Sequence, residues 1–433
     1  MSPSPLAIQV INKTDHTEQH VVTLPEDAAP APLTTGSNSV RILSRTIALT
    51  TNNFSYAMLG GIPMLGWWNV WPMPASLPQP FNDASKYCRI SAWGWSEVVE
   101  STISDLPVGA RLYGYQPIGT LPETLELTAG DVPGHWFEVS NFRKPLMPVY
   151  NRYYEANAND KEMTRTSLGY DALMRTLFET GFALNKFVFA WPSSTTTTDS
   201  SKIVAPIHPL GQPPWSQADA DVTGATIIML AASGKTALSL AYLLRQGRPT
   251  EAQPKRIVAV GSDKSRGFTA NTKFFDKVLI YDDVTSASVL DQITGDKPNK
   301  IVLLNFGARG DAAPKWMHAL KTHSPETRVQ VFIVGGEPVA GARGGNELMA
   351  LAQDPTSDVR QVNMGGIRAK AMADVGAVEY FAHADASWND FKQGGGIPEL
   401  ELKSGQGLDA FSKGWDALVK GEAGADTGLI YEL

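Results

Sequence analysis

Cysteine is nearly absent: Cys88 is the only one in 433 residues. A single thiol excludes intrachain disulfides, structural zinc built on thiolates and iron–sulfur clusters, and the expected location is the reducing cytoplasm. Histidine is scarce, with seven in the chain. Only His16 and His20 have the His-x-x-x-His spacing, and Glu18 stands one place too late for the zinc-protease motif, which needs Glu directly after the first His. No metal is expected. Net positive charge is lacking as well, since 37 Lys and Arg face 44 Asp and Glu for a net charge of −7. That balance argues against nucleic acid as a partner. No apolar run approaches the roughly 18 residues that suggest a membrane span; the best candidate, Ala225–Ala232, has the length of a buried strand. The first 20 residues lack a basic start followed by an apolar stretch, so no secretory leader and no membrane partner are expected.

The composition that is present, 43% hydrophobic and 19% charged, is that of a globular chain able to bury a sizeable core. Its length suits two or three domains at roughly 100–200 residues each. The first part reads as β. Leu6–Asn12 and Gln19–Leu24 can pair as a hairpin around the polar turn Lys13–Glu18, and Ser39–Leu49 resumes as a strand after the Pro/Ala stretch Pro25–Pro32. Tyr87–Ser91, Glu97–Thr102 and Arg111–Pro117 follow with Gly and Pro punctuation, as in a small barrel or sandwich. Ser167–Asn185 carries Leu168, Leu173, Leu177 and Phe182 at helical spacing. Ser193–Ser201 reads as a low-complexity surface loop.

Short apolar strands then alternate with helical patterns: Ala225–Leu230, a helix through Arg245, Arg256–Val260, Lys277–Tyr281, Lys300–Asn305 and Arg328–Val334. This alternation predicts a parallel sheet with crossover helices. Val375–Phe381 and Glu399–Leu402 are expected as strands, Gly407–Val419 as a helix and Gly428–Glu432 as a last strand. The order suggests a nucleotide-binding domain inserted before the C-terminus of another unit.

The most informative segment is the strand–turn–helix containing Leu230-Ala-Ala-Ser-Gly-Lys-Thr-Ala237. Gly234-Lys235-Thr236 ends like a phosphate-binding P-loop, but Met229 occupies the place of the first glycine that motif needs. A dinucleotide turn is the other possibility. Ala231, Gly234 and Ala237 are small residues at i, i+3 and i+6, and Ser233, Gly234, Lys235 and Thr236 would present a helix N-terminus to a pyrophosphate. An ordinary βα turn, small for packing alone, is the alternative. After the second strand, Ser262, Lys264, Ser265 and Arg266 can surround a ribose 2′-phosphate, which favours NADP(H) over NAD(H). Asp263 dissents, and a solvated charged loop is the alternative. Asn305-Phe306-Gly307 and Val334-Gly335-Gly336 put flexible backbone at the carboxyl edge of the sheet, where open α/β sheets bind ligands.

The sequence resembles the zinc-free branch of the medium-chain dehydrogenase/reductase superfamily, and more closely a dehydrogenase-like family labelled only as a domain of unknown function. The residues carrying the resemblance are Ala48–Gly60, Ala92–Ser101, Val108–Tyr115, Met174–Phe187 and Leu230–Leu244. It implies an α/β chain in which a GroES-like β-rich catalytic domain, residues 1–167 and 394–433, encloses a Rossmann doubly wound parallel-sheet domain, residues 168–393. It also implies hydride transfer from NAD(P)H to a carbonyl or activated alkene, a cofactor held in the cleft between domains, and a subunit that can form homodimers. Three departures from the superfamily are visible. Asn53 and Trp93-Gly94-Trp95-Ser96 stand where zinc members carry metal ligands; the Gly-x-x-Gly-x-x-Gly turn is Ala231-x-x-Gly234-x-x-Ala237; and Tyr56 occupies the Asp place of an Asn-x-x-Asp turn.

A zinc-free reductase needs a donor for the oxygen that becomes an alkoxide or enolate. Tyr56 is the first candidate, with Asn53 orienting the carbonyl or contacting nicotinamide; a structural Tyr and a capping Asn are the alternative. Tyr150 and Asn151 are candidate substrate contacts or a packing hinge. Trp67 and Trp95, in a region rich in tryptophan, would wall a pocket for an aromatic or polyketide-like substrate, or serve as core. Thr180 and Gly181 lie on the segment that the resemblance brings to the cofactor phosphates. The expected function is NADP(H)-dependent reduction of a carbonyl or conjugated enone on a small apolar substrate. The rival, from a different class, is a fold relative without redox chemistry that acts as a lyase, isomerase or nucleotide sensor.

Overall fold

The computed structural model describes residues 5–63, 65–156, 163–191, 205–295, 298–337 and 346–433. The chain divides into two units, Met1–Arg175 with Glu401–Leu433, and Thr176–Leu400. The expected surface loop Ser193–Ser201 lies outside the described residues.

In the first unit, strands β1 (Ala7–Asn12) and β2 (Gln19–Thr23) form the expected hairpin. Its turn is held by side chains that mimic backbone: Asn12 Oδ1 accepts from Thr14 N at 2.9 Å and Asp15 Oδ1 from Thr17 N at 3.0 Å. Strand β3 (Ser39–Leu49) runs into helix α1 (Thr51–Leu59), which the sequence reading did not anticipate. Thr50 starts that helix with a capping box: its Oγ1 accepts from Asn52 N at 3.3 Å, and Asn53 Oδ1 accepts from Thr50 N at 2.8 Å. Strands β4 (Tyr87–Cys88), β5 (Ser91–Ser101), β6 (Arg111–Pro117), β7 (Glu123–Ala129), β8 (His135–Glu138) and β9 (Arg152–Glu155) follow. The expected strand Glu97–Thr102 therefore begins six places earlier, at Ser91, and Tyr87–Ser91 is interrupted after Cys88.

The longer strand rests on a pattern shared by two neighbours. Trp93-Gly94-Trp95 in β5 pairs antiparallel with Tyr113-Gly114-Tyr115 in β6, so Trp93 faces Tyr115 and Trp95 faces Tyr113. Alternation sends all four rings to one side and both glycines to the other. A Cβ on Gly114 would lie 2.5 Å from the Tyr153 ring, and one on Gly94 would collide with the Thr46 carbonyl of β3. Glycine is needed there for close approach, not for turning.

The second unit contains helix α2 (Arg165–Ala183), which begins in the first unit and continues as a π-helical turn over Leu184–Val188, then α3 (Gln217–Ala220), β10 (Thr226–Leu230), α4 (Lys235–Gln246), β11 (Arg256–Gly261), α5 (Asp263–Asn271), β12 (Lys277–Ile280), α6 (Ala287–Thr294), β13 (Lys300–Phe306), α7 (Ala312–His323), β14 (Arg328–Gly335), α8 (Asn346–Gln353), β15 (Val359–Gln361), α9 (Met364–Val375) and α10 (Ala377–Gln393). The sheet is parallel throughout, in the order β12-β11-β10-β13-β14-β15. The apolar runs required this, because strands covered on both faces have no polar side to show. Ile228, Leu230, Val258, Val260, Ile301, Leu303 and Val331 pack against Trp316, Met317 and Leu320 of α7 on one such face.

The expected strand Val375–Phe381 is absent. Gly376, at φ +91°, separates α9 from α10 there. Buried Tyr380, Ala384, Trp388 and Phe391 show the helical period, which a seven-residue window was too short to reveal. The chain then returns to the first unit as β16 (Glu401–Gln406), α11 (Gly407–Val419) and β17 (Thr427–Glu432). The eight-stranded sheet runs β16-β17-β3-β5-β6-β9-β8-β7, and β7 pairs back onto β3. That last pairing closes a barrel of β3, β5, β6, β9, β8 and β7, leaving no open edge within the ring. No helix among the described residues is long and apolar enough to cross a membrane.

Candidate functional site

Numbered within its own unit, the parallel sheet has strand order 3-2-1-4-5-6. The order reverses between β10 and β13, and ligands of such sheets bind beyond the carboxyl ends at that point. Strand β10 ends at Leu230, and Ala231 turns the chain with a left-handed φ of +56°. Gly234 N donates to Ala231 O at 3.0 Å, Gly234 serves as N-cap, and no side chain caps α4. The first-turn N–H groups of such a helix and its positive dipole end suit an anion. Ser233, Lys235 and Thr236 are half-buried around the exposed Gly234.

Gly181 packs closely on α4: a Cβ there would lie 3.0 Å from Leu240 N. The Thr180 hydroxyl donates to Thr176 O at 3.3 Å within its own helix.

Beyond β11 the charged segment is the first turn of α5, not a loop. Ser262 is its N-cap, Ser265 is buried with its hydroxyl donating to Ser262 O at 3.1 Å, and Lys264 and Arg266 are exposed. At the end of β13, Asn305 Oδ1 accepts from Gly307 N and Ala308 N at 3.0 and 2.8 Å and so shapes the turn after Phe306. Gly307 has φ +107°, and a Cβ there would stand 2.6 Å from Gly336 O. A Cβ on Gly335 would stand 3.2 Å from Phe306 O. These glycines let the ends of β13 and β14 approach each other.

Sequence reasoning missed Tyr281, placing it merely as the last residue of a strand. It lies just past β12, and its carbonyl accepts from Trp316 Nε1 at 3.1 Å. Burial raises its phenol pKa, against the Arg309 guanidinium and the backbone of Ala231 and Arg309, which lower it. The phenol therefore sits beside the β10 turn and the loop after β13. A tyrosine at the carboxyl end of a parallel strand was the available signal.

In the barrel unit, Tyr56, Trp67, Trp93, Tyr115 and Tyr150 form one cluster. Ring centroids lie 4.8 Å apart for Tyr56–Trp67, 5.2 Å for Tyr56–Tyr115, 4.9 Å for Tyr115–Tyr150 and 5.8 Å for Trp67–Tyr150. Trp93 Nε1 donates to the Tyr56 hydroxyl at 3.0 Å. Burial pushes the Tyr56 phenol up to about 12, while hydrogen bonds from Trp93, Asn52 and Tyr150 pull the other way. It therefore carries its proton at neutral pH. Burial also lifts Tyr115 and Tyr150 well above the usual phenol value. Trp95 is not in contact with Tyr56; it packs edge-on to Tyr113 at 5.4 Å.

Asn53 is engaged in structure: its oxygen serves the α1 capping box and its nitrogen donates to Ser91 O at 2.9 Å. Asn151 donates to Arg143 O at 3.0 Å, while its buried Oδ1 has no hydrogen-bond partner. Burial raises the Cys88 thiol to about 12 and keeps it protonated. Among the described residues no group of three His, Cys, Asp or Glu could hold a metal ion.

A closed barrel whose sheet is extended by the C-terminal strands β17 and β16, and a 3-2-1-4-5-6 parallel sheet encoded by the intervening sequence, define the medium-chain dehydrogenase/reductase fold. The chain belongs to the family described as "Protein of unknown function (DUF2855)", which matches residues 47–424. Among solved structures it is similar to JamJ enoyl reductase in its apo form, at 12% identity and a TM-score of 0.55 over 99% of each chain. It is similar to Escherichia coli quinone oxidoreductase complexed with NADPH, at 12% identity and a TM-score of 0.53 over 99% of this chain and 100% of that one. CurA from Vibrio vulnificus in complex with NADPH matches at 11% identity and a TM-score of 0.53 over 98% of each chain. The sequence matches no curated protein.

Proposed function

We propose that the chain is an NADP(H)-dependent reductase that needs no zinc and reduces a carbonyl or conjugated enone on a small apolar or aromatic substrate. The observation carrying this is the uncapped α4 N-terminus at the switch point of a Rossmann-ordered sheet. Three further features fit a dinucleotide there. The turn is built from small residues, Gly307 and Gly335 keep side chains out of the closely spaced β13 and β14 ends, and Lys264 and Arg266 stand exposed after the second strand for a 2′-phosphate. Similar folds bound to NADPH support the choice of cofactor. NADPH, when bound, supplies the hydride.

The chain's own residues do the rest. Backbone N–H groups of Lys235 and Thr236, with Ser233 beside them, would hold the pyrophosphate. Asn305 holds the β13 turn, and Tyr281 closes the edge of the site beside Ala231. In the barrel unit Tyr56 donates the proton. Its oxygen accepts from Trp93, and its high pKa keeps its own hydrogen in place until charge develops on a substrate oxygen. Trp67 and Tyr150 supply apolar ring surface beside it. Asn53 serves Tyr56 by fixing the start of α1.

The test is oxidation of NADPH in the presence of a set of quinones and cyclic enones. Turnover by the native protein that falls by a factor of about 10² to 10⁴ in Tyr56→Phe, with NADPH affinity unchanged, is the expected result. Near-native turnover in that variant removes Tyr56 from the mechanism.

A further inference from the structure

Arg143 exposes no side-chain surface, and neither does Glu138, whose Oε2 lies 3.6 Å from Arg143 Nε. A guanidinium withdrawn from water is tolerated only where its donors and faces find partners. Here Nη2 donates to Tyr150 O at 3.0 Å and Nη1 to the Tyr153 hydroxyl at 3.1 Å. The group also lies over the Trp71 ring, 4.9 Å from its centroid. The Tyr153 hydroxyl in turn donates to Tyr115 O at 3.0 Å. Asn151 Nδ2 answers by donating to Arg143 O at 3.0 Å.

These bonds converge on one place. Tyr115 and Tyr150 come from different segments, and their rings pack against Tyr56 at 5.2 and 6.2 Å. The backbone carbonyls of both end on the same guanidinium, Tyr150 directly and Tyr115 through Tyr153. We propose that Arg143 is a positioning residue for Tyr56, its planar fork fixing the two tyrosines that flank the phenol. The role in catalysis rests on Tyr56 being the proton donor; the positioning itself does not. A lysine would keep the charge but has no rigid fork to hold two acceptors at once.

The test uses the full chain with 3-fluorotyrosine at its 12 tyrosines, the Tyr56 resonance being the one lost in Tyr56→Phe. In Arg143→Lys that resonance is expected to shift or broaden. The quinone-dependent kcat should fall on the order of 10- to 100-fold while KM for NADPH is unchanged, because small misplacements act on the reacting geometry. Tyr153→Phe, which removes the hydroxyl that bridges Arg143 Nη1 to Tyr115 O while both buried charges stay in place, is expected to move the same resonance and serves if Arg143→Lys does not fold. An unmoved Tyr56 resonance in either folded variant overturns the proposal. Should Tyr56→Phe keep its turnover, the donor assignment fails, and the fluorine shift still decides whether Arg143 positions that ring.

Discussion

Ala231 offers a prediction in which the usual sign of a substitution reverses. It is one of three non-glycine residues with positive φ among the described residues, at +56°. The left-handed conformation costs an L-residue about 1–2 kcal/mol, through crowding of Cβ against the carbonyl. Ala231→Gly removes that cost. Against it stands the larger conformational freedom of glycine in the unfolded chain, worth about 0.5–1 kcal/mol. The balance is a stabilisation of roughly 0.5–1 kcal/mol. Ala232, next in the chain, is fully buried and has no positive φ. Ala232→Gly therefore loses on entropy and on packing, by about 1 kcal/mol or more. The assay is urea denaturation of both variants, read as the change in midpoint at unchanged slope. Opposite shifts are expected, upward for Ala231→Gly and downward for Ala232→Gly. Equal downward shifts would refute the strain argument and the turn geometry beneath it.

Two other perturbations follow from the packing and the titration of single residues. Gly114→Ala places a methyl 2.5 Å from the Tyr153 ring, and thermal melting should show a loss of about 1–3 kcal/mol, since the neighbouring strand leaves no slack. His208 is held neutral: burial and the Arg360 charge lower its pKa to about 4, and its Nδ1 accepts from Leu210 N at 3.0 Å. Between pH 6.5 and 4 the unfolded chain binds this proton and the folded chain does not, so stability falls with pH by at most about 1.4 kcal/mol per unit from this group. His208→Asn should flatten the stability profile in that window when denaturation midpoints are compared; parallel profiles would contradict it.

The sequence displayed the parallel sheet more openly than the barrel, for a physical reason. Strands buried on both faces, such as Thr226–Leu230 and Lys300–Phe306, are apolar at nearly every position and stand out in isolation. Barrel strands such as Glu123–Ala129 alternate with charge and carry little local signal; they exist because a neighbour supplies the other half of each pair. Trp93-Gly94-Trp95 was visible, but its pairing with Tyr113-Gly114-Tyr115 is a non-local fact. The same holds for the site. The turn around Gly234 was legible because strand, small residues and helix are contiguous. Asn53 acts as cap because Thr50 is three places before it. Tyr281 was not legible, since Arg309 and Ala231 beside it come from segments far away in the chain; Arg143 has near neighbours in sequence, but its burial against Trp71 is a non-local fact.

The central claim is that the β10–α4 turn holds NADP(H). The most direct measurement is a titration of the purified chain with NADPH and with NADH, followed by nicotinamide fluorescence, and repeated in Lys264→Ala and Arg266→Ala. Saturable, NADPH-selective binding that weakens in these variants, with NADH little affected, is the predicted result. A folded protein that binds neither nucleotide would contradict the claim and shift the weight to a fold relative without redox chemistry.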